Sequence, residues 1–187
     1  MKNFFFDILT ILRIALIGFF VSLFAYPLIH ESGHIIATLI TGGKIAYLAW
    51  LPVPRVMCEV DITGTAASVL ISLAGIIFPM IFVLPLLLSK GSIRFGAMIF
   101  SFICSISCSI GLFVVVLRAF GIILLNEDIT TLIEYTDRIL PSFFVMLALS
   151  VAAIGLVILF NPRKTFMLML ELSPSRKNYL LSQKKYV

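Results

Sequence analysis

Four long apolar runs separated by short polar breaks dominate the chain. The first opens near residue 8 and reaches 29, and its helix continues through a polar patch to 40, where Thr41-Gly42-Gly43 stops it. The second covers about 63–89, the third 95–117, and the fourth 140–160, opened by Pro141 and closed by Asn161-Pro162. A membrane span needs about 20 apolar residues, so each run is long enough to cross. The pattern predicts an all-α polytopic membrane protein with about four transmembrane helices.

The breaks between the runs differ in kind. Residues 44–62 mix β-branched and aromatic residues with Tyr47, Trp50, Pro52, Pro54, Arg55, Glu59 and Asp61, which reads as a short interfacial hairpin or re-entrant segment. Trp50 and Tyr47 suit the headgroup level, and an exposed strand edge there would suit an extended peptide. Lys90 to Arg94 reads as a tight basic turn into the third span, and 118–139 as a loop. Pro27 should kink the first helix just before its polar patch. Gly64, Ser68 and Ser72 recur every four residues, a stripe that lets another helix approach closely, while Gly75, Pro79 and Pro85 should loosen the lower part of the second span. Ser101, Ser105, Ser107 and Ser109 can bond back to their own helix or across to a neighbour.

Composition agrees with the pattern: of 187 residues, 61% are hydrophobic and 12% charged, which excludes an ordinary soluble domain. The net charge is +5, but six of the fourteen basic residues lie after Phe160, so the excess marks a cytoplasmic tail on an anionic bilayer surface and not a nucleic-acid interface. We divide the chain into an intramembrane core, 1–160, and a basic cytoplasmic tail, 161–187. The N-terminal run is too long for a signal peptide and lacks a small-residue cleavage site. Cys58, Cys104 and Cys108 form neither a disulfide nor a metal framework.

Candidate chemistry is concentrated in His30-Glu31-Ser32-Gly33-His34, which holds the only two histidines of the chain. Residues four apart share a helix face, so His30 and His34 can offer two imidazoles to one metal ion, with Glu31 turned aside to hold a metal-bound water. This is the H-E-x-x-H pattern: two neutral nitrogens fix zinc, zinc acidifies water, and the glutamate takes the proton. A glutamate within a membrane span is costly and calls for such a role.

A hydrolytic zinc site usually has a third protein ligand. With no third histidine it should be a carboxylate, and Asp128 or Glu127, at the end of a long apolar stretch, is best placed. Four spans put both termini on one side, which the charge distribution makes cytoplasmic. Residues 44–62 and 118–139 then share the outer side with the end of the first span, which supports one site built from His30, His34 and Asp128.

On these residues the chain resembles the site-2 protease family of intramembrane zinc metalloproteases. His30 and His34 match that family's histidine ligands and Glu31 its catalytic glutamate; Asn126 and Asp128 match the asparagine and aspartate of its N-P-D-G-like motif, with Glu127 where proline would stand and Ile129 where glycine would. Gly64 to Ser68 fits the pattern of the family's intervening G-x-x-x-(Asn/Ser/Gly) element, while Ser72 to Gly75 resembles that element's surroundings but leads to Pro79. The resemblance covers about 16–132, with no room for an inserted regulatory domain. It implies a Zn2+-dependent endopeptidase in the plasma membrane of a bacterium, cutting membrane-embedded or membrane-proximal peptides. The partners expected are a membrane protein or peptide substrate and the lipid bilayer, with no nucleic acid; a regulatory partner is left open. The competing expectation is a catalytically inactive membrane scaffold or accessory subunit, favoured by the altered N-E-D-I sequence. A transporter would need further polar residues along a path, and few are present.

Overall fold

The computed structural model describes residues 2–49, 54–59, 65–124, 127–136 and 139–171. Helix α1 (Lys2–Phe20) passes through a π-helical turn, Val21–Ala25, into α2 (Tyr26–Ile40). A two-stranded antiparallel hairpin follows, β1 (Lys44–Ala49) with β2 (Arg55–Glu59). Then come α3 (Thr65–Val83), a 3-10 segment Leu84–Leu88, α4 (Gly91–Ala119), α5 (Glu127–Thr136), α6 (Ile139–Leu159) and α7 (Pro162–Glu171). Among the described residues, four stretches are long and apolar enough to cross a membrane: Ile8–Ile40, Ala66–Leu88, Gly91–Ala119 and Ile139–Leu159. This is the expected all-α polytopic architecture with its hairpin after the first span.

Local chemistry explains the departures from regular helix. Pro27 has no N–H to donate, and just before it the Tyr26 N–H reaches back to the Val21 carbonyl, five residues away, so the helix widens by one residue and continues. At the other end of α2, Gly42 takes φ +79° and the Gly43 N–H caps the Thr38 carbonyl at 2.9 Å, ending the helix. Pro79 remains inside α3, and Pro85 sits in the 3-10 segment. The expected basic turn narrows to Ser89 and Lys90, because α4 begins at Gly91, and Arg94 already lies on that helix.

The core is built on α4. Its buried residues Ser101, Cys104, Cys108, Gly111 and Val115 recur at alternating steps of three and four, and they face Ser142, Met146, Ser150 and Ala153 of α6. Small residues at this spacing let two helices approach where no water drives association. Ser101 and Ser109 bond back to the carbonyls of Ala97 and Ser105, whereas Ser107 bonds across to Tyr26. One correction concerns 118–139: it is not a loop throughout, since α5 occupies most of its second half. Ile129, Leu132 and Ile133, at i, i+3 and i+4, are buried and anchor that helix to the bundle.

Arg94 ties the far end together. It donates to the Leu87 carbonyl at 2.5 Å, to the Phe160 carbonyl at 3.5 Å and to Thr165 Oγ1 at 3.4 Å, while Arg13 bonds Ser92. The second half of α1, the start of α4 and the end of α6 therefore share one end of the bundle. The first residues of the basic tail form α7, whose Thr165 is buried.

Helices α2 and α3 approach closely at Gly33. A Cβ built on Gly33 would collide with the Ala74 carbonyl and stand 2.9 Å from Phe78 Cβ. Gly33→Val should therefore force the helices apart and lower the thermal unfolding midpoint of the detergent-purified protein, a loss of about 1–3 kcal/mol. Gly18→Ala, where the new Cβ would meet only Ile99 Cδ1 at 3.8 Å, should leave the midpoint nearly unchanged.

Candidate metal centre

Tyr26, His30 and His34 fall on one face of α2, at successive steps of four, and the two imidazoles stack edge to face with ring centroids 4.9 Å apart. Helix rise puts His30 about 15 Å and His34 about 9 Å below the end of α2 at Ile40. Asp128 enters from the first turn of α5, held there by the burial of its neighbours Ile129, Leu132 and Ile133. His30 Nε2 stands 3.2 Å from Asp128 Oδ2, His34 Nε2 stands 3.3 Å from Asp128 Oδ1, and the two Nε2 atoms are 3.3 Å apart. The sequence places Asp128 nearly a hundred positions from the two histidines, and the fold brings the three to one point.

The tautomer of His34 gives this convergence its meaning. His34 Nδ1 lies 2.8 Å from the Ile71 carbonyl, which can only accept, so Nδ1 carries the proton and a neutral ring presents a bare lone pair at Nε2. That lone pair faces a carboxylate oxygen and a second imidazole. Electron-rich atoms so close repel one another unless a proton or a cation lies between them, so the donor set fits a metal ion. The Ile71 carbonyl is the outer partner that orients a ligating histidine. His30 Nδ1 is buried without a partner among the described residues, and the Tyr26 ring packs beside it at 5.9 Å between centroids.

Burial alone would push the Asp128 carboxyl up; where protons and not a cation lie between the donors, the hydrogen bonds and positive charge of the protonated imidazoles outweigh burial and hold the group well below the usual carboxylate range. With its value lowered, Asp128 stays ionised on acidification until far below the ordinary range. Its contribution is present at neutral pH and is lost only in strong acid. About a quarter of its side chain is exposed, against 11% for His34, so the cluster opens on the Asp128 side.

Glu31, on the same helix, does not join the triad. Its Oε2 accepts a hydrogen bond from the Val56 backbone N–H of β2 at 3.1 Å, which sets the carboxylate between the hairpin and the imidazoles. Of Glu127, the other candidate ligand, the backbone starts α5; its side chain lies outside the described residues, as do Trp50, Gly64 and Asn126.

Two contributors are not visible in the sequence motif. A Cβ on Gly75 would collide with His34 Nε2 and Cε1 and stand 2.9 Å from His30 Cε1, so this glycine is a floor on which both imidazoles rest. It does not act by loosening α3, which continues unbroken through it. The Ile71 carbonyl is a backbone group that no side-chain pattern announces. Ser68 and Ser72 are buried on the same helix, Ser72 bonding back to the Ser68 carbonyl. No protein-family model, curated protein or solved structure matches the chain.

Elemental analysis of detergent-purified protein should find one divalent metal ion per chain, lost in His34→Ala and weakened in Asp128→Asn but not in Glu127→Gln. Gly75→Val should lower metal affinity about 10–100-fold by displacing both rings, as loss of a ligand's support typically does.

Proposed function

We propose that the chain is a zinc-dependent intramembrane endopeptidase that hydrolyses peptide bonds of membrane-embedded or membrane-proximal substrates. The observation that carries this reading is the set of three donor separations, 3.2, 3.3 and 3.3 Å. Ligands about 2.0–2.1 Å from a tetrahedral zinc lie about 3.3–3.4 Å from one another, the edge of that tetrahedron. Two imidazoles and one carboxylate leave a fourth position open, the arrangement of catalytic rather than structural zinc.

Zinc, when bound, supplies a positive charge that acidifies water and polarises a carbonyl. The protein's own groups would do the rest. His30, His34 and Asp128 hold the ion, and the Ile71 carbonyl keeps His34 in the ligating tautomer. Glu31, beside the ligands but not among them, takes a proton from water and later gives it to the leaving amine. The hairpin meets α2 beside Glu31 and, among the described residues, carries no third strand, which supports strand addition to it as the way an extended peptide is held. Gly33 and Gly75 keep α2 seated on α3 so that the ligands do not move apart.

The setting we assign is a bacterial plasma membrane with both termini cytoplasmic. Arg13, Lys90, Arg94, Arg163 and Lys164 gather at one end of the bundle, opposite the hairpin, and basic residues favour the cytoplasmic side. This puts the metal centre toward the outer leaflet. The scaffold reading is favoured by no observed distance: loss of chemistry would leave the three donors and Glu31 free to drift.

Glu31→Gln should keep one zinc per chain and lose peptide hydrolysis by about 10²–10⁴-fold, the range for removal of a general base. The assay is cleavage of a single-span substrate in proteoliposomes, with metal content measured on the same samples. Wild type that holds zinc yet cuts no span or juxtamembrane peptide would turn the reading to the scaffold.

A further inference from the structure

The hairpin contributes a backbone group to the site. β2 pairs with β1 along one edge, and among the described residues no strand covers its other edge. Val56 stands opposite Leu48, but its N–H donates to Glu31 Oε2 at 3.1 Å and so points away from the ladder. Successive residues of a strand aim their N–H and C=O groups to opposite edges. Val56 and Cys58 therefore face outward from the hairpin, toward α2, while Arg55 and Met57 face β1.

We propose that the Val56 backbone N–H is the positioning group for Glu31, so that the hairpin belongs to the catalytic machinery and is not only a membrane anchor. This rests on the general-base reading of Glu31. A glutamate has three side-chain torsions to fix, and next to a metal it has two competing positions, as a ligand or beside the ligands. A charge-assisted bond from β2 to one carboxylate oxygen holds Glu31 off the ion and leaves its second oxygen for the proton. The group responsible is an amide, so any residue but proline at 56 supplies it, and the side-chain sequence carries no mark of it.

The test uses the full-length protein in detergent. Amide hydrogen exchange at Val56 is compared in wild type and Glu31→Ala, with Met57 as the strand-paired control and metal content measured throughout. The expected result is exchange at Val56 roughly tenfold faster in Glu31→Ala, the factor for loss of a hydrogen bond to a charged group, with Met57 unchanged. Unchanged exchange at Val56 overturns the proposal alone, even in a protein that cuts peptides. The second arm compares Val56→Pro, which deletes the outward N–H at an edge where proline is tolerated, with Val56→Ala, which keeps it. Val56→Pro should lower kcat about 10–100-fold with KM and metal content held, and Val56→Ala should behave as wild type. Equal losses in both variants, or a raised KM with kcat retained, overturn the positioning role. A protected Val56 amide in a wild type that hydrolyses nothing overturns it together with the protease reading.

Discussion

Gly33 and Gly75 allow α2 and α3 to meet almost backbone to backbone, and the metal cluster depends on that distance. The same contact does three jobs. It puts the Ile71 carbonyl within 2.8 Å of His34 Nδ1, it supports both imidazoles on a residue without a side chain, and it turns the His34 Nε2 lone pair toward Asp128. A membrane bundle has little hydrophobic force to close such a gap, because lipid is as apolar as the helices. Close approach must come from small residues, and at this crossing it does.

Around that contact the rest of the molecule acts as a frame. The α4–α6 pair meets along its small buried stripe, and α5, anchored by Ile129, Leu132 and Ile133, packs mainly on α3 and also reaches this pair, where Ile129 lies beside Gly111. Asp128 thereby reaches the imidazoles from a different element than the one carrying them. The cluster thus joins the first span to the segment after the third, and a bound metal would stabilise the folded bundle as well as serve chemistry. The Pro27 region contributes differently: the π-helical turn passes the chain around the missing N–H without breaking the helix, so the first span runs on into the α2 segment that carries Tyr26 and the ligand pair.

Much of this was legible in the sequence, for identifiable reasons. The spans follow from run length alone, and the hairpin from a change to β-branched and aromatic text. His30 and His34 share a face because helix period is fixed. Counting spans brings the segment after the third to the same side as the end of the first, which favoured Asp128 without any motif. The parts that stayed hidden are backbone groups and contacts. The Val56 N–H and the Ile71 carbonyl have no side-chain signature. Gly75 looked like a helix breaker because its partner rings lie on another helix. The polar text of 126–137 suggested a loop, although the spacing of Ile129, Leu132 and Ile133 was already that of an amphipathic helix.

The most direct test of the metal centre is X-ray absorption at the edge of the bound metal in detergent-purified protein. Two imidazoles and one carboxylate on the ion should give a low-coordinate nitrogen and oxygen shell at about 2.0–2.1 Å with outer-shell scattering from two imidazoles, reduced to one or lost in His34→Ala. A shell of water oxygens without imidazole scattering, or a spectrum unaltered in His34→Ala, would contradict it.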